Sequence, residues 1–148
     1  MEHRAYAGLV SRLAGLGLDV LITAITVVVV GRGLPEVWRL VAGTPPHWVL
    51  TAFDWGANIT PAVYFAGSWR LTGQTIGASV FGTVVRLADG SPIGLIRSIL
   101  RAAIGLLFAP IWFVGTVTVL FDVRRRSLLD MAFGTVVQYL GRPGRPTP

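Results

Sequence analysis

The residues with chemistry to offer are charged groups set in apolar surroundings. Asp19 lies near the middle of a 22-residue apolar run, Leu9 to Val30. A carboxylate at that depth costs about 2.5–3.5 kcal/mol on insertion scales, so it is expected to face protein or water and to have a partner. Two kinds of chemistry are open to it: a structural latch, or a site on a proton or cation path. The latch is the preferred reading. Arg12 is seven residues earlier, about 10.5 Å along a helix axis and within roughly 20° of the same face. That is long for direct contact, so each is expected to pair elsewhere. Arg97 and Arg101 are four apart, on one helical face at the start of a third apolar run. Asp130 follows Arg124-Arg125-Arg126 and is expected to pair with one of those arginines. Asp54, about two turns into a second run, stands open between a solvated interfacial group and a buried one.

Other chemistries are poorly served. The chain has no cysteine, so thiolate nucleophiles, disulfides and cysteine-bound zinc are excluded. His3 and His47 have no metal-ligand spacing, and neither metal nor cofactor is expected. The Gly-x-Gly-Asp signature of intramembrane aspartyl proteases is missing. Gly31-Arg32-Gly33 lacks the strand–turn–helix setting of a phosphate loop. Asn58-Ile59-Thr60 matches a glycosylation sequon but lies inside an apolar run. No enzyme activity is expected.

The elements that position these charges follow from composition. Of 148 residues, 53% are hydrophobic and 14% charged, where a soluble domain carries roughly 25% charged. Mean hydropathy is +0.65. So small a globule cannot bury that much apolar surface, which points to a membrane protein with the bilayer as its first partner. All 13 basic residues are arginine, giving net charge +6. They flank apolar runs and do not cluster on one solvated face, so nucleic-acid binding is not expected.

Leu9 to Val30 would make a helix about 33 Å long, enough to span, and it is too long for a cleaved signal segment. Trp48 to Trp69 is the second expected span, with tryptophans at both ends. Gly31 to His47 reads as a short external loop with one helical turn around Val37 to Val41. The third run, Ala102 to Phe121, has Ala109-Pro110 at its centre, where proline breaks the helix ladder. Three full crossings would place six arginines on one side and seven on the other. If the third run enters and returns, eleven face the cytoplasm and two face out, and the positive-inside rule is satisfied. The re-entrant form is preferred, with a kinked crossing as the alternative. The β-branched stretches Ser79 to Leu87 and Gly134 to Tyr139 are expected to pair as a small cytoplasmic sheet, with a turn at Asp89-Gly90.

The expected architecture is therefore an all-α integral membrane protein. It has two full transmembrane helices, a third proline-broken segment and short cytoplasmic β elements. Residues 1–140 form one transmembrane domain and residues 141–148 a disordered Gly/Pro/Arg tail. The N-terminus is placed in the cytoplasm and the chain in the cell membrane.

The order Tyr6, Arg12, Asp19, then Thr72-Gly73-Gln74-Thr75-Ile76-Gly77, Asp89-Gly90, Pro92, Arg97, Arg101, then Arg126, Asp130 and Gly134-Thr135-Val136-Val137 resembles the RDD family. That family is named for one arginine and two aspartates. By this resemblance Arg12 is the motif arginine, Asp19 the mid-helix aspartate and Asp130 the late one. Arg101, Arg97, Gly134 and Thr135 fall within its other conserved segments. Two positions depart from the pattern. Gly77 is followed by Ala78-Ser79 where the family commonly has Lys-Arg, and Asp130 follows Leu129 in place of a histidine.

The resemblance implies an integral membrane protein taking part in transport. One reading is an accessory or scaffolding subunit of a larger transport complex, such as a mammalian-cell-entry type lipid importer, partnered by other membrane subunits. The alternative is a homo-oligomeric cation/proton antiporter with Asp19 as the proton-binding acid. Small residues at Ala62 and Ala66, and at Gly105 and Ala109, offer close-packing faces for partner subunits, with ordinary packing inside the chain as the preferred reading.

Overall fold

A computed structural model describes residues 7–122 and 126–140. The chain is mostly helical, with one two-stranded sheet. Helix α1 spans Leu9–Val28, and its buried stripe is Gly15, Asp19 and Thr23, spaced four apart. Large apolar side chains such as Val20, Leu21, Ile25 and Val28 point outward and are more than half exposed. Helix α5, Leu95–Leu107, repeats this inverted pattern: Ser98 and Arg101 are buried while Leu95, Ile96 and Ile99 are exposed. Water would penalise such a surface, whereas hydrocarbon accepts it.

The expected external loop is largely helix. After α1 the backbone passes through a π-helical turn, Val29–Gly33, straight into α2, Leu34–Ala42. The π turn shifts the bonding, with the Leu34 N–H reaching the Val29 carbonyl. Pro35 then falls in the first turn of α2, where a missing N–H is cheapest, so Gly-Arg-Gly and proline do not end the helix. The continuous helix Leu9–Ala42 has 34 residues and is long and apolar enough to cross a bilayer by length and composition. The second expected span is a single 25-residue helix, α3, His47–Leu71, with Pro61 inside it. Long as it is, α3 falls short of that apolar standard. Asp54, Asn58, Tyr64 and Ser68 lower its hydropathy.

The proline break in the third run is present. Helix α5 ends at Leu107, α6 runs Ala109–Gly115, and a 3₁₀ turn, Thr116–Leu120, follows. The two arms are bent by 92°. The short helix α4 is Ile76–Val80, strand β1 Thr83–Leu87, helix α7 Leu128–Phe133 and strand β2 Thr135–Tyr139.

The strands pair antiparallel, as the β-branched stretches suggested, with Val85 opposite Val137. A small core of Ala7, Val85, Ile93 and Val137 lies against the sheet, with Trp69 and Leu87 packed on it. The Ala7 N–H donates to the Val137 carbonyl at 3.0 Å, and the Val85 N–H donates to the Gly73 carbonyl at 2.8 Å. The start of α1, the segment after α3 and the strand after α7 therefore meet on one side of the molecule. The expected tail, 141–148, lies outside the described residues.

Candidate functional site

Asp130 is fully buried, and two arginines converge on it from different helices. The Arg12 guanidinium, from the first turn of α1, donates to Oδ2, and Arg101 from α5 donates to Oδ1 at 2.6 Å. Arg101 also donates to the Thr135 hydroxyl at 2.6 Å, while that hydroxyl is 3.2 Å from Asp130 Oδ1. The carboxylate completes a capping box as well: the Ser127 N–H donates to it at 3.1 Å, and the Asp130 N–H donates to the Ser127 hydroxyl. Burial alone would raise the Asp130 pKa. The charges of Arg101 and Arg12, with their hydrogen bonds, outweigh burial and hold it down to about 2. The Arg101 guanidinium stacks over Trp69 at 4.8 Å from the ring centroid.

The expected pairing of Asp130 with Arg124-Arg125-Arg126 is replaced. Arg124 and Arg125 lie outside the described residues, and Arg126 binds Asp122 at 3.0 Å. Sequence neighbours are reached only if the backbone turns them inward; here the capping box points Asp130 toward α1 and α5 instead.

Asp19 is also buried, and its partners are uncharged donors. Oδ1 accepts from the Tyr64 hydroxyl at 2.6 Å and from the Gly77 N–H at 2.7 Å, and Oδ2 accepts from the Thr75 hydroxyl. These contacts close the first turn of α4. The Ile76 N–H donates to the Tyr64 oxygen at 3.0 Å, and the Ala78 N–H donates to the Thr75 oxygen at 3.1 Å. Three amide donors at that helix start, those of Ile76, Gly77 and Ala78, are thereby satisfied. The approach is close: a Cβ on Gly77 would collide with the Gly15 carbonyl and lie 2.8 Å from Asp19 Cγ. Arg12 and Asp19 thus pair elsewhere, as their seven-residue spacing requires.

Other expected site residues fall in different places. Thr135 is fully buried in the Asp130 cluster. Gly134 ends α7 in the left-handed region at φ 64°, turning the chain into β2. Arg97 is exposed on α5 and does not join Arg101, and Asp54 is exposed on α3. Tyr64, Trp69 and Ser127 were not anticipated. Ser127-x-x-Asp130 carries a capping-box signal in sequence; Tyr64, 45 residues from Asp19, carries none.

The two clusters face a common cavity of about 640 Å³, walled by α1, α3, α5 and α6. Arg12, Asp19 and Arg101 touch it, but most of its surface is apolar, with Leu16, Val20, Phe65, Leu106 and Val114 among the lining residues. Among the described residues no three His, Asp or Glu side chains come together as a metal-ligand set.

One arginine and one aspartate, Arg12 and Asp130, meet in an ion pair, and a second aspartate, Asp19, anchors the start of α4. A family model for the RDD family matches residues 6–134. The chain belongs to the RDD family. This is a membrane-associated family, in keeping with the long apolar helix. No curated protein and no solved structure matches the chain. In this RDD chain the motif arginine and late aspartate form one ion pair, and the mid-helix aspartate forms a separate helix anchor. Ala78 and Leu129 line the cavity.

Proposed function

We propose that this RDD protein is a multi-pass component of the cell membrane and serves as an accessory or scaffolding subunit of a larger transport complex. The observation that carries this reading is the use of both buried acids. Asp130 ties α1, α5 and α7 together through Arg12 and Arg101, and Asp19 ties α1 to α4 through Thr75 and Gly77 and to α3 through Tyr64. A carboxylate holding three donors, two of which also cap a helix, is suited to fixing geometry; proton exchange would break that cap at every cycle. The large exposed apolar surface leaves room for other membrane subunits as well as lipid. We assign the chain no catalytic step.

For topology, we propose that Leu9–Ala42 and α3 cross and that the α5–α6 pair enters and returns. The 92° bend and the meeting of the three segments beside the sheet support an even number of crossings. The segments on the sheet side then carry eleven arginines and face the cytoplasm, leaving Arg32 and Arg39 outside. Extraction of the tagged chain in mild detergent, followed by native mass spectrometry, tests the functional reading. Stoichiometric co-purification with transporter subunits is expected. A lone homo-oligomer whose reconstituted proton-coupled cation flux disappears in Asp19→Asn, with assembly intact, would replace it with the antiporter.

A further inference from the structure

The cavity between the two charge clusters is a second feature, and the latches leave it unused. Its volume of about 640 Å³ falls within the range of small-molecule sites, and its wall is overwhelmingly hydrocarbon. Void space on that scale forfeits the dispersion contacts of every side chain facing it. Water is a poor filler, because a buried water needs two to four polar partners. The polar groups here are mostly engaged, Asp19 with Tyr64, Thr75 and Gly77, and Arg101 with Asp130 and Thr135. Arg101 Nε has no partner among the described residues, but one donor falls short of the two to four that a water needs. Ala78 and Leu129 keep their part of the wall free of charge.

The mouth of the cavity points to what fills it. Val20, Leu106 and Val114 line it and are also exposed, so its wall runs without interruption into the outer apolar surface. A flexible hydrocarbon chain can therefore slide in sideways from the bilayer along a mostly apolar wall, with little polar surface to desolvate. We propose that this cavity is a binding site for one acyl chain of a bilayer lipid, seated between α1, α5 and α6 with Trp69 at its inner wall. The site rests on membrane residence and is independent of whether the protein is an accessory subunit.

Native mass spectrometry of the protein extracted in mild detergent tests this against cavity-filling variants. Wild type is expected to keep one lipid under activation that strips loosely held lipid. Leu16→Trp and Leu106→Trp should lower that retention by about tenfold or more. Val28→Trp, on the outer face of α1 away from the cavity, should not change it. A phospholipid mass and a free fatty-acid mass both support the chain site and distinguish its source. No retained lipid, or equal retention in all four proteins, overturns the proposal. A second measurement does not depend on the filled variants folding. In vesicles of phosphatidylcholine with brominated chains, the emission component lost in Trp69→Phe should be quenched to a similar degree as the component lost in Trp55→Phe, Trp55 being exposed. An unquenched Trp69 component overturns the site.

Discussion

Asp130 hydrogen-bonds two buried guanidinium groups, so its removal takes from both the carboxylate they share. Asp130→Asn is expected to cost about 3–5 kcal/mol, the usual penalty for breaking a buried pair from one side. Chemical unfolding in detergent would measure it. The pH dependence follows from a folded-state pKa of about 2 against an ordinary 3.8. A depressed carboxylate contributes stability that is complete above the ordinary value and is lost as pH falls through the folded one. Stability should therefore drop between about pH 4 and pH 2 in wild type, with this component missing in Asp130→Asn. At the second cluster, Tyr64→Phe removes a donor to Asp19 and the acceptor of the Ile76 N–H together. A loss of about 1.5–3 kcal/mol is expected, since the bond involves a charged acceptor. It should be much smaller when Asp19→Asn is already present, and a double-mutant cycle reads the difference.

Two short elements depend on single glycines. Helix α4 is only five residues, and its placement depends on the absence of a side chain at Gly77, which sits against the Gly15 carbonyl. Gly77→Ala should cost at least the ~1–3 kcal/mol of an overpacked core and release α4 from α1. Hydrogen exchange at the Ile76 to Ser79 amides would then rise while exchange at the β1–β2 amides changes less. Gly134 stands at φ 64° where α7 turns into β2, and Gly134→Ala should cost about 1–2 kcal/mol, read from the same unfolding curves. The β elements were legible because runs of valine and threonine favour a pleat, and the α5–α6 break because proline removes a helix bond. The continuation of α1 into α2 was not. Gly-Arg-Gly and Pro35 are turn signals locally, and only the wider π turn makes them compatible with helix.

Among the described residues, helices α1 and α5 bury polar side chains and expose large apolar ones, and the sheet gathers three separate connections on one side. The proposed topology can be checked cleanly, because the natural chain has no cysteine. In intact cells a membrane-impermeant maleimide should label Glu36→Cys. It should label Ser91→Cys only after the membrane is opened. Labelling of both from outside would require a different number of crossings. Co-extracted partners and retained lipid belong to the same scale, since both read surfaces that no single helix defines.

The sequence by itself determined the mostly helical class, the long apolar first helix, the broken third run and the RDD family. Each of these depends on composition, local propensity or linear order, all carried by the chain before it folds. Tertiary structure alone decided the partners. Arg12 meets Asp130 across 118 residues, and Asp19 meets Tyr64 across 45 and Gly77 across 58. Such pairings depend on how helices cross and on where a cap directs a carboxylate. Periodicity places a residue on a face of its own helix, but it does not say which other helix that face will meet.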